Sequence, residues 1–416
     1  MRIYKYAVIG GGVIGCSIAY FLARDGQDVL LLEKGSLADG SSSRCDGNLQ
    51  VGDCASGIDT EFVMKSLALF PEVAADLADD IGYRPMDSMF VFETEEEIPV
   101  GRALVERKNA DGCRMRLLSR EEALALEPNL AEDLTGGILT YGDGIVNPMM
   151  LTIGLAKGAE KYGAAIRTGR AVTGISRTED GLFILESPEE TFYAENVVNA
   201  AGVWAPEIGK MAGLDIPIRP RQGQILVIEE ADGFVGRTIT EFGYIMTKQE
   251  SSDFVRNVPE DMEKYGIAAL VEPTEGGTLL VGSSRTFTGE DIRSDDRIIS
   301  LMAQRICRFL PGMKKMNLIR TYCGLRPYTA DHRAILSATP VPGFYIAAGH
   351  EGSGITLSLE TGKVMMEYLT GKTLSLDLTP FRFDRFAGSG TGADDADDAA
   401  PDRDWKSAKA GSGGEA

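Results

Sequence analysis

A glycine-rich turn near the amino terminus constrains the fold more than any other part of the sequence. Residues 6–9 form a short apolar run that predicts a buried strand, and Gly10, Gly12 and Gly15 follow it with the spacing G-x-G-x-x-G. In this spacing the first glycine permits a tight turn, the second lets a pyrophosphate approach the backbone, and the third lets a helix pack against the strand. Free N–H groups and the positive end of the helix dipole then face the phosphates. The turn predicts a dinucleotide site.

The residues after this turn complete the pattern of such a site. Residues 16–25 have helical periodicity, Gly26 ends the predicted helix, and residues 29–32 predict a second apolar strand. Glu33 stands at the end of that strand, where an acidic side chain accepts hydrogen bonds from an adenosine ribose. Because strand, turn, helix, second strand and acid occur in this order, the pattern is far more specific than a glycine triplet alone.

The same stretch has one alternative interpretation. Residues 6–23 carry no charge and follow Arg2 and Lys5, as in a signal peptide or a membrane-spanning helix. Three consecutive glycines would break such a helix, and no small-residue cleavage site precedes another mature start. The second strand and its terminal acid would also have no role. The dinucleotide site is therefore favoured.

Composition narrows the class of protein further. The 416 residues are 44% hydrophobic and 25% charged, which is typical of a soluble globular chain that is long enough for two domains. A net charge of -20 argues against nucleic-acid binding, which needs a basic surface. The six cysteines contain no C-x-x-C pair and only two histidines are present, so no disulfide framework or metal centre is predicted. We expect a cytoplasmic protein without a transmembrane segment.

The order of strand and helix patterns predicts an α/β fold combined with antiparallel β structure. Residues 1–85, 140–210 and 320–372 alternate between strands and helices, as in a Rossmann-like nucleotide-binding domain. Residues 86–139 and 211–319 contain mostly alternating strands, which predicts an inserted, largely antiparallel domain that holds the substrate.

The carboxyl-terminal segment differs in composition from the rest of the chain. Residues 387–416 consist mainly of Gly, Ala, Ser and Asp, with one aromatic residue, Trp405. Such a segment buries too little apolar surface to offset its ordering entropy, so a disordered acidic tail is predicted.

Local patterns predict individual elements of the substrate domain. Residues 93–99 are interpreted as an acidic turn, and residues 244–247 as a strand. Ser119 and Glu122 form a capping box, which predicts that a helix begins after Ser119. Residues 298–310 predict a further helix.

Seven motifs follow one another along the chain: GGGVIG, the acid Glu33, SSSRCDGN, DGIVNP, VVNAAGVWA, GLRPYTADHR and GHEGSGIT. A chain with this set, over about residues 3–372, resembles the D-amino-acid oxidase-like FAD oxidoreductases. That family includes glycine oxidase, sarcosine oxidase and the flavin subunits of cyanide synthase, opine oxidase and proline or hydroxyproline dehydrogenases. The resemblance implies a noncovalent FAD that lies extended, with its adenosine end at the first glycine turn and its flavin between the sheet and the substrate domain.

The resemblance also assigns cofactor contacts. Five residues of one loop would touch phosphate and flavin: Ser41, Ser42, Asp46, Gly47 and Asn48. Val172 would meet the adenine through its backbone. Residues 350–356 would bring N–H groups and a helix dipole to the negatively charged edge of the reduced flavin. The residues assigned to FAD are Gly10, Gly12, Val13, Ile14, Gly15, Glu33, Lys34, Ser41, Ser42, Asp46, Gly47, Asn48, Val172, Ala201, Gly202, Trp204, His350, Glu351, Gly352, Ser353, Gly354, Ile355 and Thr356.

Three residues are candidates for contact with the substrate. Arg326 matches the carboxylate-binding arginine of the family, and a planar guanidinium can hold a carboxylate bidentately. The alternative for Arg326 is a salt bridge to Asp331 or a surface position. Tyr244 falls near a tyrosine that lines the family's substrate pocket. His350 is interpreted as a contact to flavin or substrate, or as a packing residue.

One position departs from the family pattern. Glycine oxidase has a second arginine inside the last glycine-rich turn, and here Gly352 occupies that position after Glu351. A two-arginine clamp on a small amino acid is therefore not expected from the sequence. Glu351 would instead be available to a cationic amine or a guanidino group of the substrate.

The resemblance implies FAD-dependent oxidation of the C–N bond of an amino acid or an N-substituted amino acid. The α-carbon would lose a hydride to flavin N5, and water would hydrolyse the imine. The chain would be either an oxidase that passes electrons to oxygen or the catalytic subunit of a heteromeric dehydrogenase that passes them to an iron–sulfur partner. Two alternatives stay open: a 2-hydroxy-acid dehydrogenase, because Arg326 would bind either carboxylate, and a flavin-bearing structural subunit with a degenerate site.

Overall fold

The computed structural model describes residues 2–229, 231, 233–248 and 256–386. The predicted disordered tail at 387–416 lies outside the described residues. The strands are β1 (Ile3–Ile9), β2 (Val29–Leu32), β3 (Asn48–Leu49), β4 (Arg84–Pro85), β5 (Ser88–Phe92), β6 (Arg114–Ser119), β7 (Gly136–Tyr141), β8 (Gly144–Ile145), β9 (Ala165–Arg167), β10 (Gly174–Arg177), β11 (Phe183–Glu186), β12 (Thr191–Asn199), β13 (Arg219–Ile228), β14 (Ile239–Glu241), β15 (Leu270–Pro273), β16 (Leu279–Gly282), β17 (Leu318–Tyr328), β18 (Ile335–Ala338) and β19 (Phe344–Ala348). The α-helices are α1 (Val13–Arg24), α2 (Ile58–Asp76), α3 (Glu97–Ala110), α4 (Arg120–Leu126), α5 (Pro148–Lys161), α6 (Ala205–Met211), α7 (Phe242–Lys248), α8 (Glu260–Lys264), α9 (Asp296–Phe309) and α10 (Gly354–Thr370).

The first sheet carries the amino-terminal glycine turn. Its strand order is β10-β11-β12-β1-β2-β9, and β19 pairs with β12 and with β18. The strands β12, β1, β2 and β9 are parallel, and every residue of β2 is buried. Such apolar runs are typical of a parallel sheet that is covered on both faces. Because residues 6–23 contain part of a strand, a turn and most of α1, they do not form one continuous membrane helix.

The second sheet confirms the prediction of a largely antiparallel layer. Its order is β17-β13-β16-β15-β14-β5-β7-β6, and all neighbours are antiparallel except β14 and β5. The helix α9 closes a core over one face of this sheet, with Ile298, Met302 and Phe309 buried against it. The short strands β3, β8 and β4 form a third sheet of three strands. The α/β plus antiparallel class is therefore confirmed.

Strand pairing corrects one predicted domain segment. The sequence assigns residues 320–372 to the nucleotide-binding domain, but β17 pairs along its length with β13 in the second sheet. The pairing partners are about a hundred residues apart, so no local pattern reveals them. The other bounds of the two predicted domains stay a prediction, because strand pairing assigns strands rather than chain boundaries.

Two local elements also differ from their predictions. Residues 244–247 belong to the helix α7, not to a strand. Every residue from Phe242 to Met246 is buried, so apolar and polar residues do not alternate along this run. Without such a pattern, the sequence cannot distinguish a helix from a strand here. The predicted turn at 93–99 ends earlier, because α3 begins at Glu97. Pro99 lies in the first turn of α3, where its missing N–H removes no helical hydrogen bond. By contrast, the capping box before α4 is confirmed.

Two buried ionisable side chains fasten the loop that follows β3. The Asp143 carboxylate accepts hydrogen bonds from the Val51 N–H at 3.0 Å and from the Ser88 hydroxyl at 2.6 Å. The Lys108 ammonium donates to the Val51 carbonyl at 3.1 Å and to the Thr60 hydroxyl at 2.8 Å. Burial raises the pKa of Asp143 to about 7. The loop is thus held by a carboxyl group whose protonation favours the folded state.

The pH dependence of stability tests this burial. A carboxyl group whose pKa is raised on folding contributes most stability below its unfolded pKa, and loses it as pH rises through about 7. We therefore expect the free energy of unfolding of the Asp143→Asn variant, relative to the unmodified protein, to rise by roughly 1 kcal/mol per pH unit between about pH 4 and pH 7. Urea unfolding across this range, with the exposed Asp180→Asn variant as control, measures it. A constant difference between the two proteins would contradict the assignment.

Candidate active site

The first glycine turn brings a strand, a helix and a neighbouring loop into close contact. Gly10 has a φ of +118°, and a Cβ there would lie 2.5 Å from the Ala200 carbonyl oxygen. A Cβ on Gly15 would lie 1.9 Å from the Gly10 carbonyl oxygen, so only glycine lets α1 start this close to β1. A Cβ on Gly12 would meet only the Ser42 hydroxyl, at 3.3 Å. The amino end of α1 therefore opens into the space beside Gly12, as a phosphate-binding turn requires.

The acid after β2 is fixed beside this turn. The Glu33 carboxylate accepts hydrogen bonds from the Gly11 N–H at 2.6 Å and from the Gly35 N–H at 2.7 Å. Next to it, the Lys34 ammonium lies 3.5 Å from the centre of the Trp204 ring. The two predicted ribose residues and the predicted Trp204 contact are thus brought together at one end of a cavity.

One cavity of about 570 Å³ joins the predicted residues. It runs from Glu33 and Val172, past the first glycine turn, to Tyr244 and Arg326 on the side of the second sheet. Of all residues predicted to contact the cofactor or substrate, only Gly15 and Gly47 do not line it. The volume falls within the roughly 300–1,000 Å³ of typical ligand cavities. An open phosphate turn, a ribose acid and this long cavity fit FAD.

Gly47 does not line the cavity but fixes the backbone of a loop that does. A Cβ on Gly47 would lie 1.9 Å from the Val146 carbonyl oxygen, and its N–H donates to the Glu272 carboxyl group at 2.8 Å. Burial raises the pKa of Glu272 well above its ordinary value, and the charge of Asp46 raises it further. Sequence reasoning missed Glu272, although a glutamate inside the apolar strand β15 is a recognisable signal. Glu272 therefore positions the loop that was predicted to contact the flavin.

The late glycine-rich turn meets the same loop. Thr356, near the start of α10, donates a hydrogen bond to the Asn48 carbonyl at 3.0 Å. His350 lies at the cavity, and its Nε2 lies 3.0 Å from the Thr361 hydroxyl in the buried part of α10. Burial lowers the pKa of His350 to about 3. The imidazole is therefore neutral at physiological pH. Its contact with Thr361 orients the ring against α10.

Arg326 projects from β17 at the substrate end of the cavity. Its guanidinium lies over Gly223, where a Cβ would be 2.2 Å from Nη1. Nη1 donates to the Ser284 carbonyl at 2.9 Å, and Nη2 donates to the Ser283 hydroxyl at 3.0 Å. The alternative salt bridge to Asp331 is wrong, because Asp331 accepts from Arg385 at 2.6 Å. Arg326 therefore lines the cavity while its protein contacts are neutral acceptors.

Two further arginines stand near Arg326, and sequence reasoning missed both. Arg221 lies directly opposite Arg326 on β13 and forms an ion pair with Glu351. The Arg285 guanidinium lies 4.5 Å from the centre of the Tyr244 ring, on the cavity wall. Burial, followed by repulsion from Arg285 and Arg326, lowers the pKa of Arg221 to about 9. The register of β13 and β17 brings Arg221 and Arg326 together, and the segment after β16 adds Arg285.

The ion pair with Arg221 changes the expectation for Glu351. The sequence left this carboxylate available to a cationic substrate group, but the structure places Arg221 against it. His332 Nδ1 also lies 3.6 Å from its other oxygen. Glu351 adopts a φ of +49°, which the turn between His350 and α10 holds in place. A protein cation therefore already neutralises Glu351.

The described part of the chain gives no sign of a metal centre. Among these residues no group of three or more His, Cys, Asp or Glu side chains converges as a metal site would require. All six cysteines are free thiols. No described helix has both the length and the apolar character that crossing a membrane requires.

The fold and the cavity define an FAD-dependent oxidoreductase, and comparison with known proteins identifies the family. Residues 5–368 match the profile of the family described as FAD dependent oxidoreductase (DAO). The chain belongs to this family, which confirms the resemblance and FAD as the cofactor. The contacts of individual residues to FAD stay predictions.

Individual relatives are similar over nearly their whole length. Glycine oxidase of Geobacillus kaustophilus is 29% identical over 92% of this chain and 98% of its own. Its crystal structure superimposes with a TM-score of 0.81, covering 92% of this chain and 99% of that chain at 28% identity. A subunit of the opine oxidase of Rhizobium meliloti is 28% identical over 91% of this chain and 96% of its own.

The packing at Gly15 predicts how cofactor binding will respond to one added methyl group. In the Gly15→Ala variant the new Cβ must push α1 away from Gly10, because only 1.9 Å separates it from a backbone oxygen. We expect FAD affinity to fall by roughly 100-fold or more, as a few kcal/mol of strain would cause. Titration of the apoprotein with FAD, followed by flavin fluorescence, measures this affinity.

A matched glycine substitution serves as control. A Cβ on Gly276 meets no heavy atom within 4 Å, so the Gly276→Ala variant should bind FAD like the unmodified protein. Unchanged FAD affinity in the Gly15→Ala variant would mean that the turn does not carry the cofactor's phosphates.

Proposed function

We propose that this protein oxidises the C–N bond of an amino acid or an N-substituted amino acid with FAD as its cofactor. The observation that carries the proposal is the Arg326 guanidinium at the cavity wall. Its hydrogen bonds go to the Ser283 hydroxyl and the Ser284 carbonyl, so its charge is not neutralised by a carboxylate among the described residues. The relatives named as a glycine oxidase and as an opine oxidase subunit support the same chemical class.

The geometry supports carboxylate binding at Arg326. An arginine carries five N–H donors, and two of its nitrogens already donate to Ser283 and Ser284, which fixes the plane of the guanidinium. Its Nε lies 3.5 Å from the position that a Cβ on Gly352 would occupy, so the late turn borders the guanidinium without a side chain between them. The remaining donors can hold a carboxylate and orient the carbon next to it.

FAD, when bound, supplies the oxidation by accepting two electrons from the substrate. The chain itself supplies orientation and a site of low polarity. Tyr244 and Ile245 of α7 are buried at the substrate end and limit access of water. Burial lowers the pKa of His350 to about 3, so its imidazole is a poor proton acceptor at physiological pH. The amine would therefore enter in its neutral form.

The proposal extends to a partner and a location. Two relatives carry names that mark them as subunits of larger enzymes: the opine oxidase chain and HcnC of the hydrogen cyanide synthase of Pseudomonas aeruginosa, which is 24% identical over 92% of this chain. An iron–sulfur subunit would accept the electrons in the cytoplasm, where scattered thiols stay reduced. Slow reoxidation of the reduced protein in air would support a protein acceptor, and fast reoxidation would support oxygen.

A 2-hydroxy acid is the competing substrate, because it presents the same carboxylate to Arg326. The two reactions differ in their products, since an amine substrate releases ammonia or an amine after hydrolysis and a hydroxy acid releases neither. Anaerobic mixing of the yellow protein with amino acids, N-substituted amino acids and 2-hydroxy acids, followed by assay for ammonia and amine, decides between them. A flavin that no substrate bleaches would overturn the proposed function and favour a structural subunit.

Replacement of Arg326 tests the residue that carries the proposal. We expect the Arg326→Met variant to bind FAD normally and to need roughly 100-fold more substrate for half-maximal flavin reduction, because a charge-assisted bidentate contact is lost. The Arg326→Lys variant should recover part of this loss, since lysine keeps the charge but not the planar fork. Anaerobic absorbance titration measures both.

The control removes an arginine outside the cavity. Arg293 is largely exposed and pairs with Asp291, so the Arg293→Met variant should behave like the unmodified protein. If the Arg326→Met variant is reduced at unchanged substrate concentrations, Arg326 does not bind the carboxylate.

A further inference from the structure

We propose that the substrate carries two carboxylates, one bound by Arg326 and the other by Arg285. The inference rests on the proposed function, since it assumes that Arg326 receives the carboxylate next to the oxidised C–N bond. It specifies the substrate class as acidic amino acids or N-carboxyalkyl amino acids, rather than small monocarboxylic amino acids.

Arg285 and Arg326 belong to one wall of the cavity. Ser283 and Ser284 accept the hydrogen bonds that orient Arg326, and Arg285 is the next residue in the chain. The backbone N–H of Arg285 donates to the Tyr265 carbonyl at 2.8 Å, which anchors the base of its side chain. Its guanidinium then lies over the Tyr244 ring, with 4.5 Å between Cζ and the ring centre. Both guanidinium groups line the same cavity.

The charges around this wall do not balance. Among the described residues neither Arg285 nor Arg326 forms an ion pair, whereas the third arginine of the cluster, Arg221, is paired with Glu351. The charge of Asp46 acts on Arg326, although no ion pair joins these two side chains among the described residues. Both arginines are partly exposed and both line the cavity, so a ligand carboxylate can reach each guanidinium. Glu351 and Asp46 together do not balance the three guanidinium groups, and a second ligand carboxylate would give Arg285 the anionic partner that it lacks among the described residues.

The repulsion within the cluster accords with this imbalance. Burial lowers the pKa of Arg326, and the neighbouring Arg285 lowers it further. The same two neighbours, Arg285 and Arg326, act on the pKa of Arg221 in the same direction. Three guanidinium groups near two acids, Glu351 and Asp46, therefore leave a net positive charge, which favours anions over neutral or cationic groups.

Arg285 reaches the cavity from a different element than the late glycine-rich turn. In that turn, Gly352 leaves the space beside Arg326 Nε open. Arg285 belongs to the segment after β16, whose Ser283 and Ser284 accept the hydrogen bonds of Arg326. A second carboxylate would thus extend from Arg326 toward Tyr244 and Arg285, rather than toward the late turn.

Isothermal titration calorimetry of the FAD-loaded protein, under anaerobic conditions, tests the inference. The ligands are two dicarboxylates, iminodiacetate and N-(2-carboxyethyl)glycine, and two monocarboxylates, N-methylglycine and N-propylglycine. We expect at least one dicarboxylate to bind roughly 10- to 100-fold more tightly than either monocarboxylate, as one further charge-assisted contact provides. Equal affinities across the four ligands would overturn the inference, and this comparison needs no variant.

Variants assign the second carboxylate to a residue. The Arg285→Met variant should lose roughly 10-fold or more in affinity for the dicarboxylate and less than about three-fold for the monocarboxylates. The Arg285→Lys variant should recover part of the loss, and the exposed Arg293→Met variant should show none. Equal losses for both ligand classes would show that Arg285 only supports the fold, and would overturn its assignment.

Calorimetry separates this inference from the proposed function. If dicarboxylates bind preferentially but no amine reduces the flavin, the proposed oxidation fails while the two-carboxylate site stands. If amino acids with one carboxylate reduce the flavin and dicarboxylates bind no better, the proposed oxidation stands and the two-carboxylate site fails.

Discussion

The antiparallel register of β13 and β17 is the constraint on which the site depends. It sets Arg221 opposite Arg326 and Gly223 opposite Gly324 on the same face of the second sheet. The two glycines leave room for two different groups: a Cβ on Gly223 would strike the Arg326 guanidinium, and a Cβ on Gly324 would lie 2.2 Å from the Arg44 carbonyl oxygen. A slip of either strand by one residue would turn its arginine to the other face and separate it from its partner. The ladder therefore places the Arg326 guanidinium beside the loop between β2 and β3.

Hydrogen bonds between elements that are distant in the chain hold the loops that line the cavity. The loop between β2 and β3 is tied to the second sheet, because Ser41 donates to the Leu325 carbonyl and Gly47 donates to Glu272. Thr356 of α10 ties the same loop to the late turn. These contacts come from elements that are distant in the chain, and each fixes the backbone rather than the ligand. Because these contacts already fix the loops of the cavity, little conformational entropy of the protein is lost when a long cofactor binds.

The distribution of charge distinguishes the two ends of the cavity. At the adenosine end, Glu33 is satisfied by two backbone N–H groups, and the Lys34 ammonium lies on the Trp204 ring. At the substrate end, Glu351 neutralises Arg221 and leaves Arg285 and Arg326 facing the cavity. A single carboxylate in the last turn thus decides how much positive charge remains for the substrate.

The sequence alone determined the features whose physics is local. The spacing of Gly10, Gly12 and Gly15, the acid at the end of β2 and the capping box before α4 each act within one turn or one βαβ unit, so a short window predicts them. The same windows placed Arg326 and the late turn near the cofactor by resemblance.

Only the tertiary structure decided which sheet β17 joins, that residues 244–247 are helical, and that Arg285 and Arg221 converge on Arg326. These features depend on strand pairing and burial between segments far apart in the chain. No local periodicity encodes such contacts, because the energy that selects them is gained only when the distant partners meet.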